Sequence, residues 1–316
     1  VYGLSFYTYL AVRFSPLALL LFLLYTALWH KEWFWPRGWA LFGLATFLVA
    51  APLGGYFLAH WQSTMGRAEQ VSILNPAING GNLGGTLLRN TIHTLEGLAY
   101  RGDFIPRHNI PYRPFFDPLV ALAFVGGAGL AVSRLRRDPA CGLILIWLGV
   151  MLLPTILAEG APHMLRAAGV LPVLFVFPAL GLDGLWQLVS RQGKILARAG
   201  ARVAVAPLLV GAIVLLGAGQ DVTAYAQHLR SDAVYYNFEA GATAMAVQIN
   251  RYLGTGWQGS GRSARTAAAP AATQRRVYLA SRLWQHWASV QYLCPSSEAL
   301  AILPQEGETP AAGPAR

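Results

Sequence analysis

Ser15–Leu24 reads SPLALLLFLL, Trp39–Ala51 reads WALFGLATFLVAA and Cys141–Leu153 reads CGLILIWLGVMLL. Each lies inside a longer apolar run, and ~17–25 such residues are enough to cross a bilayer as a helix. Hydrocarbon offers no water to the backbone, so each N–H and C=O must find its partner within the span, and an open chain can do this only as a helix. Spans are predicted near residues 14–30, 38–60, 117–133, 140–158, 166–188 and 203–219. The third and sixth are short and rich in Gly and Ala. Composition agrees: 55% of the 316 residues are hydrophobic and 12% charged, about half the charged share of a soluble domain. The predicted fold is mainly α, a polytopic helical membrane bundle of about six spans over residues 1–219. A small α/β domain over 220–316 follows it.

Charge along the chain orders these spans. Lys31, Arg37, Arg134, Arg136, Arg137, Arg191, Lys194, Arg198 and Arg202 fall in three short connections. The long connection 61–116 carries only Arg67, Arg89, Arg101, Arg107 and Arg113, and 159–164 carries no cation. Basic connections alternate with poorly basic ones, and the positive-inside rule assigns the basic ones to the cytoplasm. The loop 61–116, the loop 159–165 and the tail 220–316 are then extracytoplasmic, in a multi-pass protein of the inner or plasma membrane. The net charge of +10 is thereby explained as topology signal. No basic-aromatic platform accompanies it, so nucleic acid is not a predicted partner. Trp29, Trp33, Trp35 and Trp39 surround the first inner connection and suit an interfacial aromatic belt.

In the tail, 233–253 has the apolar spacing of a helix, 254–274 is Gly/Ser/Ala/Pro-rich and predicts a flexible stretch, and 276–280 (RVYLA) suits a short strand. Helix is predicted over 282–294, and disorder from Pro304 onward. Cys141 and Cys294 fall in different environments and predict no disulfide. The chain opens at Val1 inside an apolar stretch, without a basic leader or small-residue cleavage site, and reads as lacking an N-terminal part.

Polar residues at membrane depth are costly, so polar clusters at span ends mark candidate sites. Three fall on the predicted outer side. In EGAPHMLR (159–166), Glu159, His163 and Arg166 suit an oxyanion. Arg offers a planar bidentate donor, His a second donor, and Glu can hold the Arg or contact a hydroxyl. One His and one Glu fall short of a three-ligand zinc set, so no cofactor is predicted, although a divalent metal stays open. The second cluster, YRGDFIPRHNIPYRP (100–114), holds Arg107 and His108 in a proline-stiffened, non-helical loop. The third, YTYLAVR (7–13), holds Tyr9 and Arg13. Each has a plain alternative: an interfacial ion pair, a solvated loop, and an Arg reaching to the headgroups. Asp117 suits a helix N-cap. Neither a Gly-x-Ser-x-Gly elbow nor a His-Glu-x-x-His pattern occurs.

These landmarks, GLSFYTY (3–9) with Arg13, RHNIP (107–111) with Arg113 and Asp117, and Glu159-x-x-x-His163-x-x-Arg166 with Gly169 and Pro172, resemble the later half of the GT-C membrane glycosyltransferases. The closest likeness is to the family 39 type, which includes protein O-mannosyltransferases and the aminoarabinose transferase of lipid A. The likeness covers about residues 1–190 as ordered landmarks, with Val277-Tyr-Leu a weaker echo. It implies a polyprenyl-phosphate sugar donor entering from the bilayer and a lipid, glycan or protein acceptor on the outer face. In such enzymes an Asp of the first outer loop orients or deprotonates the acceptor. That loop would precede Val1, so the catalytic aspartate is predicted to lie outside this chain. Arg166, His163 and Arg107 or His108 would hold the donor phosphate. A transporter or flippase of lipid-linked saccharides would also use outer arginines, but should show polar or broken helices near the midplane. A third reading is a membrane anchor presenting a small outer domain.

Overall fold

The computed structural model describes residues 1–197, 205–259, 275–295 and 298–304. It is mainly helical, and the chain divides into two units, Val1–Tyr225 and Ala226–Arg316.

The first unit begins with a short helix α1 (Tyr2–Ser5) and a 3₁₀ turn, Leu10–Phe14. Then come α2 (Ser15–Trp29) and α3 (Pro36–Ala59), which together cover the first two predicted spans. No residue of α3 is buried. The stripe Thr46, Ala50, Leu53 and Phe57 is partly covered; a helix that is apolar on every side and exposed over most of its surface is suited to contact with lipid chains. α4 (Trp61–Val71), α5 (Pro76–Asn79) and α6 (Leu83–Ala99) follow, then α7 (Pro118–Arg134) and α8 (Pro139–Ile156). The next run is composite: a 3₁₀ turn Arg166–Val170, α9 (Leu171–Leu174) and α10 (Val176–Ala197). α11 (Val205–Leu229) completes the apolar set.

Five segments are long and apolar enough to cross a membrane: Leu10–Trp29, Pro36–Ala59, Pro139–Ile156, Arg166–Arg191 and Val205–Leu229. The sixth predicted span near 117–133 is α7, an apolar helix of 17 residues and about 25 Å long, shorter than the other five. Its start is set by Asp117, whose Oδ1 accepts the N–H groups of Leu119 and Val120 at 3.0 and 3.2 Å, so the residue is an N-cap as its position suggested. Two further differences from the sequence reading have local causes. The connection 61–116 contains a 17-residue helix, α6, where only a loop was expected. Its buried face is Thr86, Asn90, Thr94 and Gly97–Leu98, and its apolar side chains Leu83, Leu87, Leu88, Ile92 and Leu95 are exposed; the 3.6-residue period is present in the sequence, with the polar face turned inward. α11 runs ten residues past the predicted end at 219, because Ala, Gln and Leu continue a helix after the apolar run stops. The predicted basic connection 191–202 lies partly outside the described residues, which stop at 197 and resume at 205.

The core of this unit joins Phe116, Phe124, Met151, Leu152, Val170, Leu174 and Phe177. α7 and α10 pack most closely. A Cβ on Gly127 would run into the Phe177 carbonyl oxygen, and one on Gly181 into that of Ala123. Small residues at a helix crossing let two backbones approach within reach of dispersion forces, the main attraction between helices in lipid. At the ends of α2 and α8, Tyr25 Oη contacts His30 Nε2 at 2.9 Å and donates to the Leu135 carbonyl. The connections after α2 and after α7, both basic, therefore share one end of the bundle.

The second unit holds α12 (Asp232–Asn237), α13 (Ala240–Leu253), β1 (Val277–Ala280), α14 (Ser281–His286), α15 (Ala288–Leu293) and β2 (Leu300–Leu303). β1 and β2 pair in parallel, Val277 opposite Leu300. The helix expected over 233–253 is broken at Glu239, which has φ +54° and whose carboxylate accepts the Ser289 N–H at 2.9 Å. Ala242, Ala246, Ile249, Leu279 and Val290 form the core. Asn250, fully buried, donates to the carbonyls of Trp257 and Leu293 at 2.9 and 2.8 Å. Both cysteines are buried and free. Most of the stretch 254–274 and of the region after Pro304, both predicted to lack structure, lies outside the described residues.

Gly127→Leu should therefore disrupt the α7–α10 crossing and lower stability by at least roughly 1–3 kcal/mol, the usual range for overpacking. Gly129→Leu, where an added Cβ meets nothing within 4 Å, should leave the melting temperature of detergent-solubilised protein unchanged. Equal melting temperatures for the two variants would contradict the close crossing.

Candidate functional site

The polar loops at the opposite end of the bundle from His30 and Leu135 meet around Asp103. The loop 100–116 is anchored at its exit, where the N–H groups of Phe115 and Phe116 donate to Gly97 and Leu98 at 2.9 Å each. Across its neck, Gly102 N–H donates to Tyr112 and Tyr112 N–H to Asp103, at 3.1 and 2.9 Å. The Asn109 side-chain amide bridges the carbonyls of Asp103 and Arg113. Gly102 is required here, since a Cβ would strike the Arg113 carbonyl. Pro106, Pro111 and Pro114 keep the loop from coiling into helix, as the sequence suggested.

This frame buries Asp103 completely. Its Oδ1 accepts the Ile105 N–H at 2.9 Å, within its own loop. Its Oδ2 accepts the Met164 N–H at 3.0 Å, from the segment leading into the Arg166–Val170 turn. His108 Nδ1 lies 3.5 Å from the same Oδ2, and the rings of His108 and His163 are 4.5 Å apart. The donor atoms of Asp103, His108 and His163 all lie within 4.8 Å of one another, so these three side chains could hold a metal ion.

His163 is positioned from three sides. Its N–H donates to Thr155 Oγ1 at 2.8 Å, and Thr155 is fully buried in α8. Its Nδ1 accepts the Arg166 N–H at 3.4 Å, and its carbonyl accepts from Ala167. Burial, then the neighbouring Arg166 and His108, push its pKa down from 6.5 to about 4. The ring is therefore neutral at pH 7, able to accept a proton or ligate a metal. The Arg166 guanidinium donates to the backbone carbonyl of Glu159 at 2.7 Å. The role anticipated for the Glu159 carboxylate is thus taken by the main chain, and that residue is exposed. The segment 157–159 is held in turn by an antiparallel bridge, with Ile73 N–H donating to Leu157 and Glu159 N–H to Val71. Asn90 of α6 donates to the carbonyls of Ile156 and Ala158 at 3.0 and 2.9 Å, closing the end of α8.

Of the residues singled out in the sequence, His108, His163 and Arg166 come together. The 3₁₀ turn carrying Arg13 packs directly on the one that Arg166 opens. Arg13 lays its guanidinium 4.3 Å over the Phe57 ring of α3, and its Nε is buried without a hydrogen-bond partner among the described residues. Tyr9 and Arg107 are exposed. Asp103 lies in the same loop as His108 and is not among the residues that the sequence singled out. A signal did exist: an acid followed directly by Phe104 and Ile105 and, five residues on, by His108. Its partner His163 is sixty residues downstream, a distance that no local pattern spans.

Comparison of the chain with protein-family models, curated proteins and solved structures finds no match.

Thr155→Val, nearly isosteric, leaves the His163 N–H without its partner. That should cost about 1–3 kcal/mol, read as a lower melting temperature that Thr155→Ser restores. A Val variant as stable as the parent would remove this bond from the account of how the loop is held.

Proposed function

We propose that the chain is part of a membrane glycosyltransferase that moves a sugar from a polyprenyl-phosphate donor to a lipid, glycan or protein acceptor at the outer face of the cell membrane. The observation that supports this is the meeting of His163, Arg166 and the Arg13 turn at one end of the bundle. A lipid phosphate would sit at that depth with its polyprenyl chain still in hydrocarbon. As the leaving group it gains charge while the glycosidic bond breaks, and fixed cationic and N–H donors are the usual means of stabilising that charge. In this reading the loops 61–116 and 159–165 and the residues after 219 face outward, and the two basic connections at the other end face the cytoplasm.

The test is transfer from a synthetic polyprenyl-phosphate sugar by the full-length protein in liposomes. Arg166→Ala should lower turnover by about 10²–10³, the usual loss for one charge-stabilising donor, with Arg166→Lys intermediate. Because Arg166 also ties down the Glu159 carbonyl, thermal unfolding is measured alongside. Parent-like turnover in Arg166→Ala would sink the donor-site assignment. Passage of the lipid-linked sugar across the bilayer without transfer would favour a flippase.

A further inference from the structure

A fully buried carboxylate needs a positive partner, because burial of an isolated charge costs several kcal/mol. Among the described residues Asp103 has no Lys or Arg within 4 Å; its ion-pair neighbour is His108. That contact is not a formed hydrogen bond. His108 Nδ1 is buried and lacks a hydrogen-bond partner, at 3.5 Å from the carboxylate oxygen. The separation instead matches the edge of a metal tetrahedron, roughly 3.4 Å for bonds of ~2.0–2.2 Å. The third member, His163, brings its donor within 4.8 Å of the other two, so a small closing of the His108–His163 pair would complete the set.

We propose that Asp103, His108 and His163 form a divalent-cation site, with zinc the metal that best suits one carboxylate and two imidazoles. Three protein ligands leave one position free, the arrangement of zinc sites that bind an exchangeable water or anion. Magnesium and calcium, which prefer all-oxygen shells, fit poorly. The supports that orient ligands in metal sites are present. The Asp103 oxygens are held by the Ile105 and Met164 N–H groups, and the main chain at His163 is fixed by its N–H bond to Thr155. The site joins two loops sixty residues apart in sequence, so the ion would fasten them whatever reaction occurs beside it. It does not depend on the sugar-transfer reading.

The test uses the full chain in detergent, stripped with a chelator and free of sugar and lipid donor. Zn²⁺ is titrated against a chromogenic competitor, and Co²⁺ binding is followed by visible absorption. One Zn²⁺ per chain is expected, with intense tetrahedral-type Co²⁺ bands. His108→Ala and His163→Ala should each weaken binding by at least about tenfold. His93→Ala, on the exposed side of α6, should not. A parent chain that takes up no stoichiometric zinc overturns the proposal, as does binding that survives unchanged in both ligand variants. The parent stoichiometry and Co²⁺ spectrum decide the matter even if a variant misfolds. A negative result leaves the transferase assay unaffected, and the reverse also holds.

Discussion

A carboxylate without exposed surface sits between the loop that leads into α7 and the turn that follows α8. Asp103 accepts one N–H from each of these two segments, and neither can shift without leaving a buried charge short of a donor. Such a loss costs more than an ordinary hydrogen bond contributes. The placement of His108, His163 and Arg166 rests on this pin, together with the Thr155 bond and the bridge between 71–73 and 157–159. The non-helical backbone at this end of the bundle is tolerated because nearly every turn has a named partner. Irregular chain at a membrane boundary otherwise leaves polar groups unsatisfied.

The helices below are held by a different kind of contact. In hydrocarbon, apolar side chains would have no reason to prefer each other over lipid, and close backbone approach would supply the attraction. Gly127 and Gly181 supply it between α7 and α10. α3, with nothing buried along its length, makes the contrast plain. Large exposed residues such as Phe47, Leu48 and Leu58 would be a liability in water and would be unremarkable against lipid. The closely packed pair α7–α10 lies next to both loops of the site: α7 is entered from 100–116, and 159–166 leads through the Arg166–Val170 turn and α9 into α10. Packing in the bundle thus sets the spacing of the polar groups above it.

The apolar runs were legible in sequence because a bilayer imposes one length and one composition on whatever crosses it. Five segments meet that standard, and the N-cap at Asp117 and the unpaired cysteines were equally local readings. The small strand at Val277–Ala280 and the helical character of 281–293 also followed from local pattern. What escaped was α6, whose buried stripe is Thr86, Asn90 and Thr94. Asn90 is satisfied by two carbonyls at the end of α8 and Thr86 by the Asn79 carbonyl, while the apolar residues Leu87, Leu88, Ile92 and Leu95 are exposed: the polar face is turned inward, which only the packing decides. The break at Glu239 likewise depends on Ser289, fifty residues away.

The site divides along the same line. Arg166 and His163 could be suspected from three-residue spacing at a span end, since a helical turn and a membrane boundary are both local constraints. Asp103 could not be chosen over Glu159, because burial is decided by which loops meet. Sequence by itself determined that this chain is a set of apolar helices with its polar chemistry confined to their ends, since solvation acts on each segment alone. Only the tertiary structure decided that Asp103, His108 and His163 share one small volume. Their proximity depends on helix crossings and loop closures that sum over sixty residues of chain, and no residue pattern shorter than the fold contains that sum.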